Sequence, residues 1–190
     1  MAGREAGLRP SWAFLPALGG ALAHAPVLRY DLLASLRRPL DGGASVGGTR
    51  LFGDNKTLRG ALVMAGGTTV AAAVLARQGW FRERLPRELR EAPPAAYGAT
   101  LGAGVVLGEL PNSFAKRRLG IAPGDRQSSL LGAAIAVYDQ ADFVPMSALT
   151  LSPLWRMTAR EVAETFAVVA AVHSAVNVVG YALGARTSPV

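Results

Sequence analysis

Residues 109–144 read ELPNSFAKRRLGIAPGDRQSSLLGAAIAVYDQADFV, and this stretch decides the fold. A basic triplet, Lys116, Arg117 and Arg118, follows one apolar run, and two carboxylates, Asp139 and Asp142, lie inside the next. An acid within a membrane-length segment costs about 2.5 kcal/mol or more on insertion scales, so its presence there points to a task. Cationic side chains beside paired acids suit an anionic substrate held through a metal ion. The expectation is a membrane protein whose chemistry concerns phosphates.

The composition agrees. Of the 190 residues, 51% are hydrophobic and only 17% are charged, below the roughly 25% charged of ordinary soluble domains. Mean hydropathy is +0.27, modest because Ala and Gly supply much of the apolar count. Small residues let helices approach closely in lipid, and Gly98/Gly102, Gly104/Gly108 and Gly180/Gly184 are GxxxG pairs whose faces also permit a homodimer. Cysteine is absent, which removes disulfides and thiolate zinc sites. The net charge of +7 fits anionic headgroups or phosphate substrates; no motif supports a nucleic-acid partner. The N-terminal apolar stretch carries prolines and lacks a clear small-residue cleavage site, so it does not read as a signal peptide.

Five runs come near the roughly 20 residues that a bilayer demands: 12–36, 60–75, 95–110, 128–151 and 162–183. The expected fold is therefore an all-α integral membrane protein of about five transmembrane helices, forming one unit over residues 1–190. Gly-rich and basic loops would join the helices. The first run carries Pro16, Pro26, Arg29 and Asp31 and is the most interrupted; Arg29 and Asp31 offset each other's charge near an interface, and His24 has no evident partner pattern. Five passes put loops 37–59 and 111–127 on the same side as the C-terminus. That side holds ten Lys and Arg against nine on the other, so the positive-inside rule does not orient the chain. If the substrate is a nucleotide, those two loops face the cytoplasm.

The motifs carry more. In the first loop, Asp41-Gly42-Gly43 precedes Gly53-Asp54-Asn55-Lys56-Thr57-Leu58-Arg59-Gly60. Glycines free backbone N–H groups to cradle phosphate oxygens, Lys56 and Arg59 add charge, Thr57 adds a hydroxyl, and a helix starting near Arg59 adds its dipole. The spacing is not that of a Walker A loop, and a flexible basic loop near lipid headgroups is the plainer reading. Asp139 and Asp142, at i and i+3, share one helix face. They suit a hard divalent cation such as Mg²⁺, or are solvated acids at a helix end. Glu109 is a third metal ligand or an interfacial acid at a helix C-terminus, where the dipole disfavours it. Asp125 is a helix N-cap or a site residue. Lys116, Arg117 and Arg118 clamp phosphate, hold topology, or both. His173 and Asn177, one turn apart in the last run, bond to another helix or contact substrate.

Taken in order, these pieces resemble the CDP-archaeol synthase family, relatives of phosphatidate cytidylyltransferase. The resemblance runs from about Pro39 to the C-terminus. Its carriers are Pro39-Leu40-Asp41-Gly42-Gly43, the Gly53–Gly60 loop, Ser113-Phe114-Ala115-Lys116-Arg117-Arg118-Leu119-Gly120-Ile121 with Pro123-Gly124-Asp125, then Asp139-Gln140-Ala141-Asp142-Phe143, and His173, Asn177, Gly180 and Tyr181. It implies a Mg²⁺-dependent transfer of CMP from CTP to a membrane lipid phosphate, releasing pyrophosphate, in a protein of the cell membrane with its site toward the cytoplasm. It implies CTP binding by Asp41, Gly53, Asp54, Lys56, Thr57 and Arg59. It implies catalysis by Lys116, Arg117, Arg118, Asp139 and Asp142, with metal ligands drawn from Asp139, Asp142 and Glu109. Asn112, Ser113, Asp125, His173 and Asn177 remain further candidates. The family usually has Gly-Asp-Leu where this chain has Gly108-Glu109-Leu110. Phosphatidate as the acceptor, or a membrane protein that binds lipid or nucleotide without turnover, are the alternatives.

Overall fold

Pro145 explains the largest departure from the expected helices. A proline inside a helix lacks the N–H that would bond four residues back, and its ring crowds that carbonyl, here Ala141. The computed structural model, which describes residues 10–121 and 130–182, accordingly splits the fourth run into two helices, α6 (Leu130–Tyr138) and α7 (Phe143–Leu151). Between them Gln140 and Ala141, and at the start of α7 Val144, donate to the carbonyls of Val137, Tyr138 and Ala141, three residues back, so the chain tightens into a turn. Asp139 and Asp142 therefore flank a break and do not share a face of one continuous helix.

The remaining helices are α1 (Ala17–Arg29), α2 (Leu58–Leu75), the short α3 (Gly79–Arg82) and α4 (Arg87–Glu91), α5 (Pro94–Arg118) and α8 (Ala159–Ala182). A 3-10 turn, Pro10–Phe14, precedes α1. Among the described residues, three helical segments, Pro10–Arg29, Leu58–Leu75 and Ala159–Val178, are long and apolar enough to cross a membrane. The first span ends at Arg29, short of the expected residue 36. Asp31 takes a left-handed backbone (φ 46°), and the N–H groups of Leu32 and Asp31 bond to the carbonyls of Val27 and Leu28. This is a Schellman stop with aspartate in the position usually given to glycine. The third span, in contrast, does not end near Leu110: α5 runs through Pro111, so Lys116, Arg117 and Arg118 form its last helical turn and are not in a loop. The positive charges there also complement the helix dipole.

Close backbone approach orders the bundle. A Cβ on Gly98 would sit 2.6 Å from Thr69 Cα, and one on Gly102 2.8 Å from Ala65 Cα, so this face of α5 meets α2. Gly104 and Gly108 of the same helix lie against Ser147 and Phe143 of α7, while Gly19 and Gly20 of α1 lie against α2. Two GxxxG pairs on one helix thus serve two different neighbours. The row α1–α2–α5–α7 results, with α8 leaning on α7 and on the Pro10–Phe14 turn. Tyr97, Leu101, Phe81, Leu85, Val144 and Leu151 are buried at its centre. Outward faces are apolar: Leu18 and Leu22 on α1, Leu62, Val70 and Val74 on α2, and Val172 and Val176 on α8 are all exposed. Such a surface suits a hydrocarbon solvent.

Candidate active site

The first loop is folded around one carboxylate. Asp41 accepts from the N–H groups of Gly43, Phe52 and Gly53 at 3.0, 3.1 and 3.3 Å, and from the Arg50 guanidinium at 2.5 Å. Its side chain is fully enclosed. Burial alone pushes the Asp41 carboxyl up, but the Arg50 guanidinium and the three N–H groups outweigh burial and hold it well below the usual carboxylate range. Arg50 also holds Asp54 at 2.6 Å. Strands β1 (Ser45–Val46) and β2 (Thr49–Arg50) form an antiparallel hairpin. Its two turn residues, Gly47 and Gly48, have φ of 59° and 77°, as a tight primed turn requires. Asp41 and Asp54 thus organise the loop expected to bind a triphosphate, and Asp41 offers that ligand no exposed oxygen.

The loop then enters α2. Thr57 is the N-cap, its hydroxyl accepting the Gly60 N–H at 3.1 Å. Arg59, nearly buried, donates to Asp31 Oδ1 at 2.6 Å and to the Leu32 carbonyl at 3.1 Å. Asp31 is therefore paired with Arg59, and more distantly with Arg37, in place of the expected Arg29. That pair latches the end of α1 to the start of α2. The capping Thr57 and latched Arg59 leave Lys56 as the cation of this loop that faces the cleft. Lys56 Nζ donates to Glu109 on α5, and His24 of α1 lies within electrostatic range of both.

Three residues beyond Glu109, a little less than one turn, Asn112 reaches the helix break. Its Nδ2 donates to Asp139 Oδ1 at 2.5 Å and to Asp142 Oδ2 at 2.7 Å. Lys116, a turn later, donates to the other oxygen of Asp139. Asp142 is 8% exposed and Asn112 9%, with Ser113 buried beside them at 7%, whereas the side chains of Lys56, Glu109, Lys116 and Asp139 are 21–35% exposed. The cleft thus has a dry floor and a wet, charged rim. Two of the three expected metal ligands converge. Glu109 is turned to Lys56, and among the described residues no three His, Asp or Glu groups meet as a cluster. The donor chemistry nevertheless fits a hard cation: two carboxylate oxygens converge on one amide, and rotating the Asn112 amide would replace its NH₂ with a carbonyl oxygen.

The basic triplet divides its labour. Lys116 faces Asp139, Arg118 faces away to the hairpin, and Arg117 has a buried Nε with no partner among the described residues. The last helix grips the break from the far side: His173 Nδ1 lies 3.0 Å from the Gln140 carbonyl and Asn177 Nδ2 3.0 Å from Gln140 Oε1. These residues make the interhelical contact and stand behind the acids. Asn177 is 2% exposed, so Asn177→Ala is expected to cost about 1–2 kcal/mol, seen as a lower Tm in detergent. Asp125 lies outside the described residues.

Comparison with known proteins adds a family. A profile described as CarS-like, CDP-archaeol synthase, matches residues 29–189. A protein of Halobacterium salinarum named CDP-archaeol synthase is 40% identical over 185 residues, covering 94% of this chain and 93% of its own length. One of the same name from Aeropyrum pernix is 34% identical over 161 residues, covering 83% and 82%. A solved structure, described as an intramembrane enzyme for archaeal membrane lipids biosynthesis, superposes with a TM-score of 0.62 at 27% identity, covering 88% of this chain and 91% of that one.

Proposed function

The chain belongs to the CDP-archaeol synthase family, and from that membership we propose that it transfers CMP from CTP to an isoprenoid ether lipid phosphate, giving a CDP-lipid and pyrophosphate. The observation that carries the reading is the convergence of Asp139 and Asp142 on Asn112, flanked by Lys56 and Lys116, beside a Gly-rich loop. In this reading α1, α2, α5 and α8 each cross the bilayer, and α6 and α7 together make a fifth, discontinuous pass. Irregular backbone at membrane depth is tolerated where it lines a polar cavity, and broken helices elsewhere build such sites. The nucleotide places this end of the bundle toward the cytoplasm.

An oxygen of the lipid phosphate bonds to the α-phosphorus of CTP. The bond from that phosphorus to the oxygen bridging the β-phosphate breaks, and pyrophosphate leaves with the electron pair. The lipid phosphate is already ionised at neutral pH, so no protein group needs to remove a proton. Catalysis then rests on positioning and on charge. Lys56 exchanges Glu109 for triphosphate oxygens, and the Gly53 backbone, held by Asp41, approaches the same phosphates. Lys116 and Arg117 at the end of α5 bring the lipid phosphate in against its charge repulsion with CTP. Asp139 and Asp142 would hold Mg²⁺, which when bound supplies positive charge to the reacting phosphates.

The test is incubation of the purified protein in detergent with radiolabelled CTP and Mg²⁺. An ether-linked isoprenoid glycerol phosphate goes in one tube and phosphatidate in another. Labelled CDP-lipid in the first tube is expected. Product from phosphatidate alone would overturn the acceptor. No product in either, with CTP still bound, would make the chain a binding protein.

A further inference from the structure

Arg118 ends α5 and turns away from the acids. Its Nη1 donates to the Val46 carbonyl at 2.6 Å, and its Nη2 to the carbonyls of Thr49 and Arg50 at 2.7 and 2.8 Å. One turn earlier on the same helix, the Phe114 ring lies 5.1 Å from the guanidinium carbon, which fixes the arm that carries the fork. Three of the five guanidinium N–H groups are thus committed to one hairpin, across some 70 residues of sequence. The hairpin passes the restraint on. Arg50, whose carbonyl Arg118 holds, grips Asp41 and Asp54 with its own side chain. Asp41 in turn fixes the N–H groups of Phe52 and Gly53, three residues before Lys56. A continuous chain of hydrogen bonds therefore leads from the end of α5 to the Gly-rich loop.

We propose that Arg118 is a positioning residue for CTP: it ties the 45–50 hairpin to α5 and so sets the Gly-rich loop above the acids, with no contact to the lipid phosphate. The inference rests on the proposed reaction and separates the basic triplet into two kinds of residue. Lys116, which faces Asp139, acts as a charge, a role in which Lys and Arg are partly interchangeable. Arg118 works by the shape of its fork, because three carbonyls from two strands need a planar, multidentate donor that an ammonium cannot copy.

The test compares wild type, Arg118→Ala and Arg118→Lys as full-length proteins in detergent, by two readouts. Hydrogen exchange at amides 45–53 reports the tether without reference to activity. KM for CTP and KM for the lipid phosphate report its consequence. Faster exchange in both variants is expected, with KM for CTP raised about tenfold and lipid KM unchanged. The failure of Lys to rescue marks the fork. Unchanged exchange, or a lipid KM that rises in Arg118→Ala and is restored by Lys, overturns the proposal. If wild type makes no CDP-lipid, the proposed reaction fails, while the exchange measurement still decides whether the tether exists.

Discussion

Asp142→Asn yields a folded protein in which CDP-lipid formation falls by about 10³-fold or more. The substitution keeps the shape of the side chain and one of its oxygens. Asn112 donates to Asp142 Oδ2 at 2.7 Å, and the amide oxygen of the new Asn can accept the same bond. The neighbours Ala141 and Val144 are fully buried and are untouched. Only the charge is lost, and with it half of the carboxylate pair that would hold a divalent cation. Desolvation sharpens the effect, because at 8% exposure little water is present to replace the missing charge. Turnover with labelled CTP, beside a melting curve in the same detergent, checks the expectation. Turnover like wild type would remove Asp142 from the metal assignment. A melting temperature far below wild type would show that the charge serves the fold.

The residue types of the site were legible in the sequence; their partners were not. Lys56, Glu109, Asn112, Lys116, Asp139 and Asp142 all stand out as polar groups in or beside apolar runs, and the fold gathers them into one cleft. Hydropathy alone, however, reads 128–151 as one run. The break depends on Pro145, whose consequence falls four residues earlier, at Ala141. Pro111 misleads in the opposite direction. It suggests a helix end, yet α5 continues because Asn112 and Ser113 beyond it are buried against neighbours. Thr57 and Arg59 carry the functional groups of a phosphate loop, but the local demands of an N-cap and of a pairing with Asp31 claim them first. Asp31 itself turns toward Arg59 because it occupies the left-handed stop of α1. The Arg59–Asp31 pairing has no spacing in sequence, since it joins segments brought together only by helix packing, whereas the Thr57 cap is local.

Gly108→Ala tests the packing that delivers Asp142. A Cβ at Gly108 would overlap Phe143 Cα, approach Phe143 Cβ to 3.0 Å and lie 3.2 Å from the Asp142 carbonyl oxygen. Backbone atoms cannot rotate away as a side-chain end can, so α5 and α7 must part. Overpacking of this kind costs about 1–3 kcal/mol. The functional loss is expected to be larger than the stability loss implies, because the displaced residue adjoins the buried carboxylate and a 1 Å misplacement at a reacting centre costs about 10²-fold. Two further glycines separate the causes. Gly66, within α2, has no neighbour among the described residues, beyond its own helix backbone, within 4 Å of its would-be Cβ, so Gly66→Ala gains about 0.5–1 kcal/mol of helix preference and leaves activity unchanged. Gly104, one turn back on α5, meets Ser147 Cα near the middle of α7, so Gly104→Ala lowers Tm as much as Gly108→Ala but costs less turnover. Equal losses of turnover in the two α5 variants would mean that helix separation in general, and not the placement of Asp142, limits the reaction. A Gly108→Ala protein as active and stable as Gly66→Ala would refute the close α5–α7 contact on which the whole cleft depends.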